Sequence, residues 1–246
     1  MTKTVLITGG SRGIGRATAV LCAQNDWNIA FSYVGNKASA EETCAMCERV
    51  GRTGNVFAQR CDVRHEDDVI HLFQTALDRF GDIDGVVNNA GIVAPRSNLA
   101  DMDMARMKSV FDTNVLGAYL VAREAARTMT TSGGSIVNVS SVASKLGSPG
   151  EYVDYAGSKG AIDTLTIGLA KELGPKGIRV NAVRPGIIDT EIHGSVGRPE
   201  RVAEIGPSCP LGRPGKANEV ANAIYWLLTD DASYVTGALM DITGGR

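Results

Sequence analysis

Cysteine is too scarce in this 246-residue chain to build a disulfide framework: there are five, an odd number, Cys22, Cys44, Cys47, Cys61 and Cys209. They read as reduced thiols. Cys44 and Cys47 have C-x-x-C spacing, but no second such pair and no histidine pair completes a zinc site, so no metal is expected and the pair reads as helix packing. An excess of positive charge is also missing, since 25 Lys and Arg face 27 Asp and Glu for a net charge of -2. A surface built to neutralise phosphates needs such an excess, so nucleic acid is not an expected partner. No stretch approaches the ~20 apolar residues of a membrane helix, which makes a membrane partner unexpected. Residues Met1 to Gly10 run straight into an apolar strand pattern without an Arg-rich leader or a cleavable apolar core. A soluble, cytoplasmic protein is the expectation. Repeats, low-complexity tracts and Pro/Ser-rich linkers are absent as well, which points to one domain over residues 1–246.

What the chain does have is alternation. Short β-branched runs at Thr4–Thr8, Asn28–Tyr33, Asn55–Cys61, Gly85–Asn88, Gly134–Val139, Arg179–Val183 and Leu239–Ile242 are mostly continuous rather than alternating, the pattern of strands buried on both faces. Between them, amphipathic spacing predicts helices at roughly 13–25, 38–50, 66–79, 103–130, 154–173 and 217–229. A βαβα order with right-handed crossovers gives an α/β fold: a seven-stranded parallel sheet, doubly wound, with helices on both faces. Regularity breaks from Asp189 to Pro214, where glycines and prolines punctuate a segment too long for a simple connection. It reads as a lid or substrate segment.

Directly after the first strand stands Thr8-Gly9-Gly10-Ser11-Arg12-Gly13-Ile14-Gly15, opening the first helix. A diphosphate held on the free amides of a helix N-terminus must approach the backbone closely, which favours residues without a Cβ. Gly9, Gly13 and Gly15 are spaced G-x-x-x-G-x-G, and their place between strand and helix of the first βαβ unit gives the turn its weight.

With this turn the chain begins to resemble the short-chain dehydrogenase/reductase family, whose fold is Rossmann-type, and the likeness continues through four further motifs. They are Asn88-Asn89-Ala90-Gly91, then Asn114, then Ser141 with Tyr155-x-x-x-Lys159, and last Arg184-Pro185-Gly186. The resemblance implies a nicotinamide cofactor held by Gly9, Ser11, Arg12, Gly13, Ile14 and Gly15, with Asn89, Ala90 and Gly91 beside them. It places the Asp62 carboxylate and the Val63 side chain on the adenine, and has Pro185, Gly186, Ile188 and Thr190 wrap the nicotinamide. Where NAD-preferring relatives carry Asp at the end of the second strand, this chain has Tyr33, and Ser32, Asn36 and Lys37 nearby are not acidic. With the Arg12 cation in the turn, charge complementarity favours NADP(H), NAD(H) being the second choice.

Tyr155 and Lys159 are four apart in a helical segment and so share one face. A lysine ammonium nearby favours the phenolate, which brings a phenol of pKa ~10 toward the working range. The resemblance makes Tyr155 the acid/base, Lys159 a second partner of the nicotinamide ribose, Ser141 the donor to the substrate oxygen and Asn114 the anchor of Lys159 through a water. Ser140 competes with Ser141 for its role. The interval from Ser141 to Tyr155 is fourteen, one longer than the commonest family pattern, which predicts a bulge bringing Tyr152 or Val153 to the substrate. His193 reads as a lid surface residue, and His65 and His71 as helix-surface residues.

These residues together imply an oxidoreductase interconverting a ketone or aldehyde and an alcohol, with a small-molecule substrate. Within that class, a 3-oxoacyl-carrier-protein reductase and a glucose 1-dehydrogenase-like sugar dehydrogenase are the alternatives. An acidic carrier calls for a basic patch, and Arg198, Arg201 and Arg213 are mixed with Glu191, Glu200 and Glu204. A catalytically silent nucleotide-sensing protein on the same fold is the reading from another class, disfavoured because Tyr155 and Lys159 are both present. The stretch from Gly212 to Arg246 resembles the segment through which many relatives form tetramers, so a homotetramer is expected.

Overall fold

The apolar runs become strands covered from both sides in the computed structural model, which describes residues 2–51, 55–129, 133–191 and 200–246. The strands are β1 (Thr4–Ile7), β2 (Asn28–Tyr33), β3 (Val56–Arg60), β4 (Gly85–Asn88), β5 (Gly134–Val139), β6 (Ile178–Pro185), β7 (Ile188–Asp189), β8 (Gly215–Lys216) and β9 (Leu239–Ile242). Seven form one sheet in the order β3-β2-β1-β4-β5-β6-β9, every neighbouring pair parallel. The two-residue strands β7 and β8 pair with each other outside it.

Helices fill both faces: α1 (Gly13–Gln24), α2 (Lys37–Val50), α3 (Glu66–Phe80), α4 (Met104–Phe111), α5 (Ala118–Thr128), α6 (Ala143–Leu146), α7 (Val153–Leu173), α8 (Arg201–Ile205) and α9 (Ala217–Leu228). On one face Val5, Ile7, Phe31 and Val137 pack with Cys22 of α1, Cys47 of α2 and Ile224 of α9. On the other, Leu6, Ala30, Val86 and Ile136 pack with Phe73 of α3, Val121 of α5 and Leu173 of α7. This explains why the strands read as continuous apolar runs. Cys47 takes the packing role expected of it, and burial pushes its thiol up to about 12, away from the thiolate that metals and electrophiles require.

Polar side chains are few inside the sheet and most are paired, Gln59 Nε2 of β3 being buried without a partner among the described residues. Asn88 and Asn138 stand opposite one another on β4 and β5, Asn88 Nδ2 donating to Asn138 Oδ1 at 3.2 Å, and Asn138 Nδ2 donating to Thr166 Oγ1 of α7 at 2.9 Å. Ser135 donates to the Leu227 carbonyl at 2.8 Å, and Asn181 Nδ2 to the Val235 carbonyl at 2.8 Å.

The helix expected over 103–130 is not continuous. Between α4 and α5, residues Asp112–Gly117 form a wider π-turn with Asn114 inside it. Asn114 is 1% exposed and spends its side chain on Ile92, accepting from the amide and donating to the carbonyl, both at 2.8 Å. The widened turn accommodates this side-chain contact, the usual setting of such an irregularity.

The chain leaves β1 toward β2 on one side and leaves β4 toward β5 on the other, so the adjacent carboxyl ends of β1 and β4 open a crevice. Ligands of open parallel sheets bind at such a switch point.

Candidate active site

A cavity of about 670 Å³ lies over those strand ends. Gly9, Ser11, Arg12, Gly13 and Ile14 form one wall, and Asn89, Ala90 and Gly91 another. Gly9 and Gly13 have φ of +69° and +53°, the left-handed region where glycine is favoured. Gly15 does not line the cavity but supports the turn from beneath: a Cβ there would lie 2.3 Å from the Gly9 carbonyl oxygen and 3.0 Å from its carbon. Backbone cannot yield as a side chain does. Gly15→Ala is therefore expected to displace the turn and weaken nucleotide binding by about 100-fold or more, an equilibrium titration being the check, while a variant binding like wild type would refute the close-packing argument.

Several residues that shape this turn are not legible as site residues in the sequence. Thr8 Oγ1 accepts from the amides of Asn89 and Ala90, both at 3.0 Å, and Asn89 Nδ2 returns a bond to the Thr8 carbonyl at 2.8 Å. Ser32 Oγ accepts from the Gly9 amide at 3.1 Å. Arg16 reaches from α1 to the Ser11 carbonyl, Ser39 and Thr43, lacing the turn to α2. Only the T-G and N-N-A-G motifs hint at the first of these contacts.

Tyr33, Asn36, Ser39, Asp62 and Val63 line the far end of the same cavity. Arg12 is exposed there and makes no ion pair among the described residues. Asp62, which the resemblance places on the adenine, is gripped by Arg64, whose Nη2 lies 2.5 Å from Oδ2 and whose Nε lies 2.9 Å from Oδ1. That hydrogen bond holds the Asp62 carboxyl below its ordinary range. Arg64 also lines the cavity and brings a second cation to this end.

At the opposite end stand Ser141, Tyr155 and Lys159. Ser141 sits just past β5 and hydrogen-bonds Tyr155. Its competitor Ser140 is 2% exposed and donates to the Lys159 carbonyl at 3.1 Å, a bracing role. Lys159 Nζ donates to the Val139 carbonyl at 2.8 Å and lies 5.7 Å from the Tyr155 ring centroid. Asn114 lies behind the cavity wall, and a Cβ on Gly91 would meet its Oδ1 at 3.3 Å and Lys159 Nζ at 3.4 Å, so the two groups flank Gly91.

The expected lowering of the Tyr155 phenol by lysine does not prevail. Burial pushes the phenol above its ordinary value, and the Ser141 hydrogen bond offsets only part of this. Lys159 is itself drawn down to about 8 by burial, with Asp163 opposing. Low-dielectric surroundings outweigh the mutual effect of the two groups.

Pro185 and Gly186 continue from β6 into the cavity wall, Gly186 so close to Thr243 that a Cβ would lie 2.9 Å from its Cα. The β7–β8 pairing holds Ile188, and Thr190 arches to within 3.4 Å of where a Gly13 Cβ would stand. Tyr152, not Val153, lines the cavity, behind a loop in which Gly147, Ser148 and Gly150 all have left-handed φ. Of the irregular segment, α8 and the flanking residues are described, whereas His193 and Arg198 lie outside the described residues. His65 and His71 are exposed at α3, as expected.

Residues 9–246 match the family model described as Enoyl-(Acyl carrier protein) reductase. The chain belongs to the short-chain dehydrogenase/reductase family. It is 50% identical to a protein of Escherichia coli (strain K12) named uncharacterized oxidoreductase YgfF, over 98% of both chains. Glucose 1-dehydrogenase 2 of Bacillus subtilis (strain 168) is 36% identical, over 99% of this chain and 94% of its own. Among solved structures, the 3-ketoacyl-(acyl-carrier-protein) reductase of Brucella melitensis, complexed with NADH, superimposes with a TM-score of 0.91 at 30% identity, covering 99% of this chain and 98% of its own. The chain is thus an oxidoreductase of this family, built on a Rossmann-type fold.

Proposed function

We propose that this oxidoreductase interconverts a ketone or aldehyde and an alcohol with NADP(H), NAD(H) being the weaker cofactor, and that Tyr155 is its acid/base. The observation that carries the reading is one cavity with a glycine-rich turn at one end and Tyr155, Ser141 and Lys159 at the other. The nicotinamide, when bound, supplies or accepts a hydride at its carbon 4. Gly9, Ser11, Gly13 and Ile14 would hold its diphosphate on backbone amides, Gly15 keeping the turn close. Val63 and Asp62 with Arg64 would border the adenine, and Arg12 would take the 2′-phosphate beside Tyr33. Asn89, Ala90 and Gly91 form the near wall of the cavity, while Pro185, Gly186, Ile188 and Thr190, which also line it, would close over the nicotinamide end.

Ser141 then donates to the substrate oxygen and stabilises charge growing on it. Tyr155, raised by burial, is a protonated phenol at neutral pH and delivers its proton to that oxygen during reduction. In the opposite direction it must first lose that proton, so oxidation gains from alkaline conditions. Lys159 supplies positive charge beside the phenol and would bind ribose hydroxyls, and Asn114, which flanks Gly91 together with it, would anchor it through a water.

The substrate is a small molecule rather than a carrier-bound acyl chain. Of the arginines weighed as a basic patch for a carrier, Arg201 is engaged by Glu151 at 2.7 Å and Arg213 by Glu219 at 2.7 Å, which leaves their charge compensated. A glucose-type sugar remains the second reading, supported by the 36% identity to the Bacillus enzyme. A cytoplasmic homotetramer completes the proposal. No described helix is long and apolar enough to cross a membrane, and Leu211 and Tyr234 are among the most exposed apolar side chains, in or beside the C-terminal stretch assigned to assembly.

Fluorescence titration with NADPH and NADH, followed by absorbance assays on ketones, aldehydes, sugars and acyl thioesters, tests this reading. NADPH binding with turnover of a small carbonyl class is expected, and failure to bind either nucleotide overturns it. Arg12→Ala is expected to weaken NADPH by roughly 10- to 100-fold, the value of a charge-assisted phosphate contact, and to leave NADH nearly unchanged. Equal losses for both would remove Arg12 from the 2′-phosphate.

A further inference from the structure

Tyr155 belongs to the first turn of α7, and that turn begins without the usual support. Its N-cap residue, Tyr152, makes no side-chain capping bond. The loop before it contains three left-handed residues, Gly147, Ser148 and Gly150. Ordinary local structure therefore does little to fix where the helix starts, and a misplacement of order 1 Å at a reacting group costs ~100-fold in rate.

A buried ion pair does that work. Asp154, the residue before Tyr155, has a side chain 2% exposed, and Arg106 of α4 has one 13% exposed. Arg106 Nε donates to Asp154 Oδ2 at 2.8 Å and Nη2 to Oδ1 at 3.2 Å, a two-point fork. The third guanidinium nitrogen donates to the Pro95 carbonyl, in the segment that follows the Asn89-Ala90-Gly91 wall. The same Asp154 Oδ1 accepts the Tyr155 amide at 2.9 Å. Two further bonds draw the same segments together: Arg96 Nε to the Gly150 carbonyl at 3.2 Å and the Ser97 amide to the Glu151 carbonyl at 3.0 Å. Tyr155 is thus tied through Asp154 to Arg106, and through Arg106 to Pro95 in the segment that follows the opposite wall of the cavity.

We propose that Arg106 and Asp154 are positioning residues for Tyr155, a charged brace that replaces the missing helix cap and sets the phenol against Ser141. The inference rests on the role given to Tyr155 above, but its test does not depend on turnover. Neither residue touches the cavity: neither is among its lining residues. The pair is not a source of charge for the phenol, whose shift comes from burial and from Ser141.

The test labels the six tyrosines with ¹³C at Cζ and assigns the Tyr155 resonance from the Tyr155→Phe spectrum. In Asp154→Asn the Tyr155 signal is expected to shift or broaden while those of Tyr33, Tyr119, Tyr225 and Tyr234 stay in place. With a turned-over carbonyl substrate, kcat is expected to fall ~10- to 100-fold and NADPH affinity to stay within about twofold. Arg106→Lys keeps the charge and part of the fork, so it guards against a variant that fails to fold. Its losses are expected to be intermediate. An unmoved Tyr155 resonance in both variants, or equal movement of all the tyrosine signals, overturns the proposal. A moved Tyr155 signal supports it even where the cofactor or substrate assignment fails.

Discussion

Tyr155→Phe is expected to lower kcat/KM by about 1000-fold, within the range of a positioned general acid, and to leave NADPH affinity within about twofold. The arithmetic follows from what the substitution removes. Only the hydroxyl goes, and with it the proton source and the bond to Ser141, while the ring that fills the wall remains. Because the phenol is protonated over the physiological range, the loss in the direction of reduction should be constant with pH up to the point where wild-type Tyr155 ionises. Initial rates in both directions, with fluorescence titration of the nucleotide, check it. A variant retaining a tenth of wild-type turnover would assign the proton to another group.

Lys159→Met should separate stability from function. Burial draws the ammonium from 10.5 to about 8, which corresponds to roughly 3 kcal/mol spent to keep the charge in the fold at neutral pH. The unfolded chain binds the extra proton between about 8 and 10.5, so native stability rises with pH across that window as the folded lysine becomes neutral. A methionine of similar length removes the charge penalty but leaves the Val139 carbonyl without its donor, a loss of ~1–3 kcal/mol. Denaturant titration at pH 7 is therefore expected to find the variant as stable as wild type or more so, and nucleotide titration to find affinity lower by about 10-fold or more. Wild-type affinity should itself weaken as pH rises through about 8, in step with loss of the ammonium, and the methionine variant should lose that dependence. A pronounced loss of stability with unchanged affinity would make Lys159 a structural residue only.

The sheet was legible in the sequence because its signal is local. Mostly continuous apolar runs marked all seven of its strands; β2, β4, β5 and β9 have the expected ends, while β1 closes at Ile7 instead of Thr8, β3 runs from Val56 to Arg60 instead of Asn55 to Cys61, and β6 extends from Ile178 to Pro185. Elements without room for a period escaped: α6 has four residues, α8 five, and β7 and β8 two each. The π-turn at Asn114 was hidden for another reason, since the flanking residues keep a helical pattern and the departure is set by a contact with Ile92, 22 positions away. The site divides in the same way. Motif residues such as Gly9, Ser141, Tyr155 and Lys159 announce themselves by spacing, and the fold brings them into one cavity. Arg64, Arg106 and Asp154 carry no motif. Arg106 and Asp154 meet across 48 positions, and Arg64 looks like any exposed arginine until its fork on Asp62 is seen. The direction of the Tyr155 shift was misread for want of the same information, because the sequence shows a neighbouring lysine but not how deeply the phenol is enclosed.

The paired asparagines of the sheet have a consequence for folding. In a half-exposed sheet, slipping one strand by a single residue turns its apolar side chains to water, and that penalty polices the alignment. Here both faces are apolar, so a slipped β4 or β5 would exchange one greasy surface for another at little cost. What a slip would break is the bond between Asn88 and Asn138 and the link from Asn138 to Thr166, stranding amides in a dry interior. The polar pairs act as locating pins, giving up some core apolarity to make one alignment of the strands far better than its neighbours. The carboxyl ends of β4 and β5, from which the cavity walls rise, are brought level by the same pins.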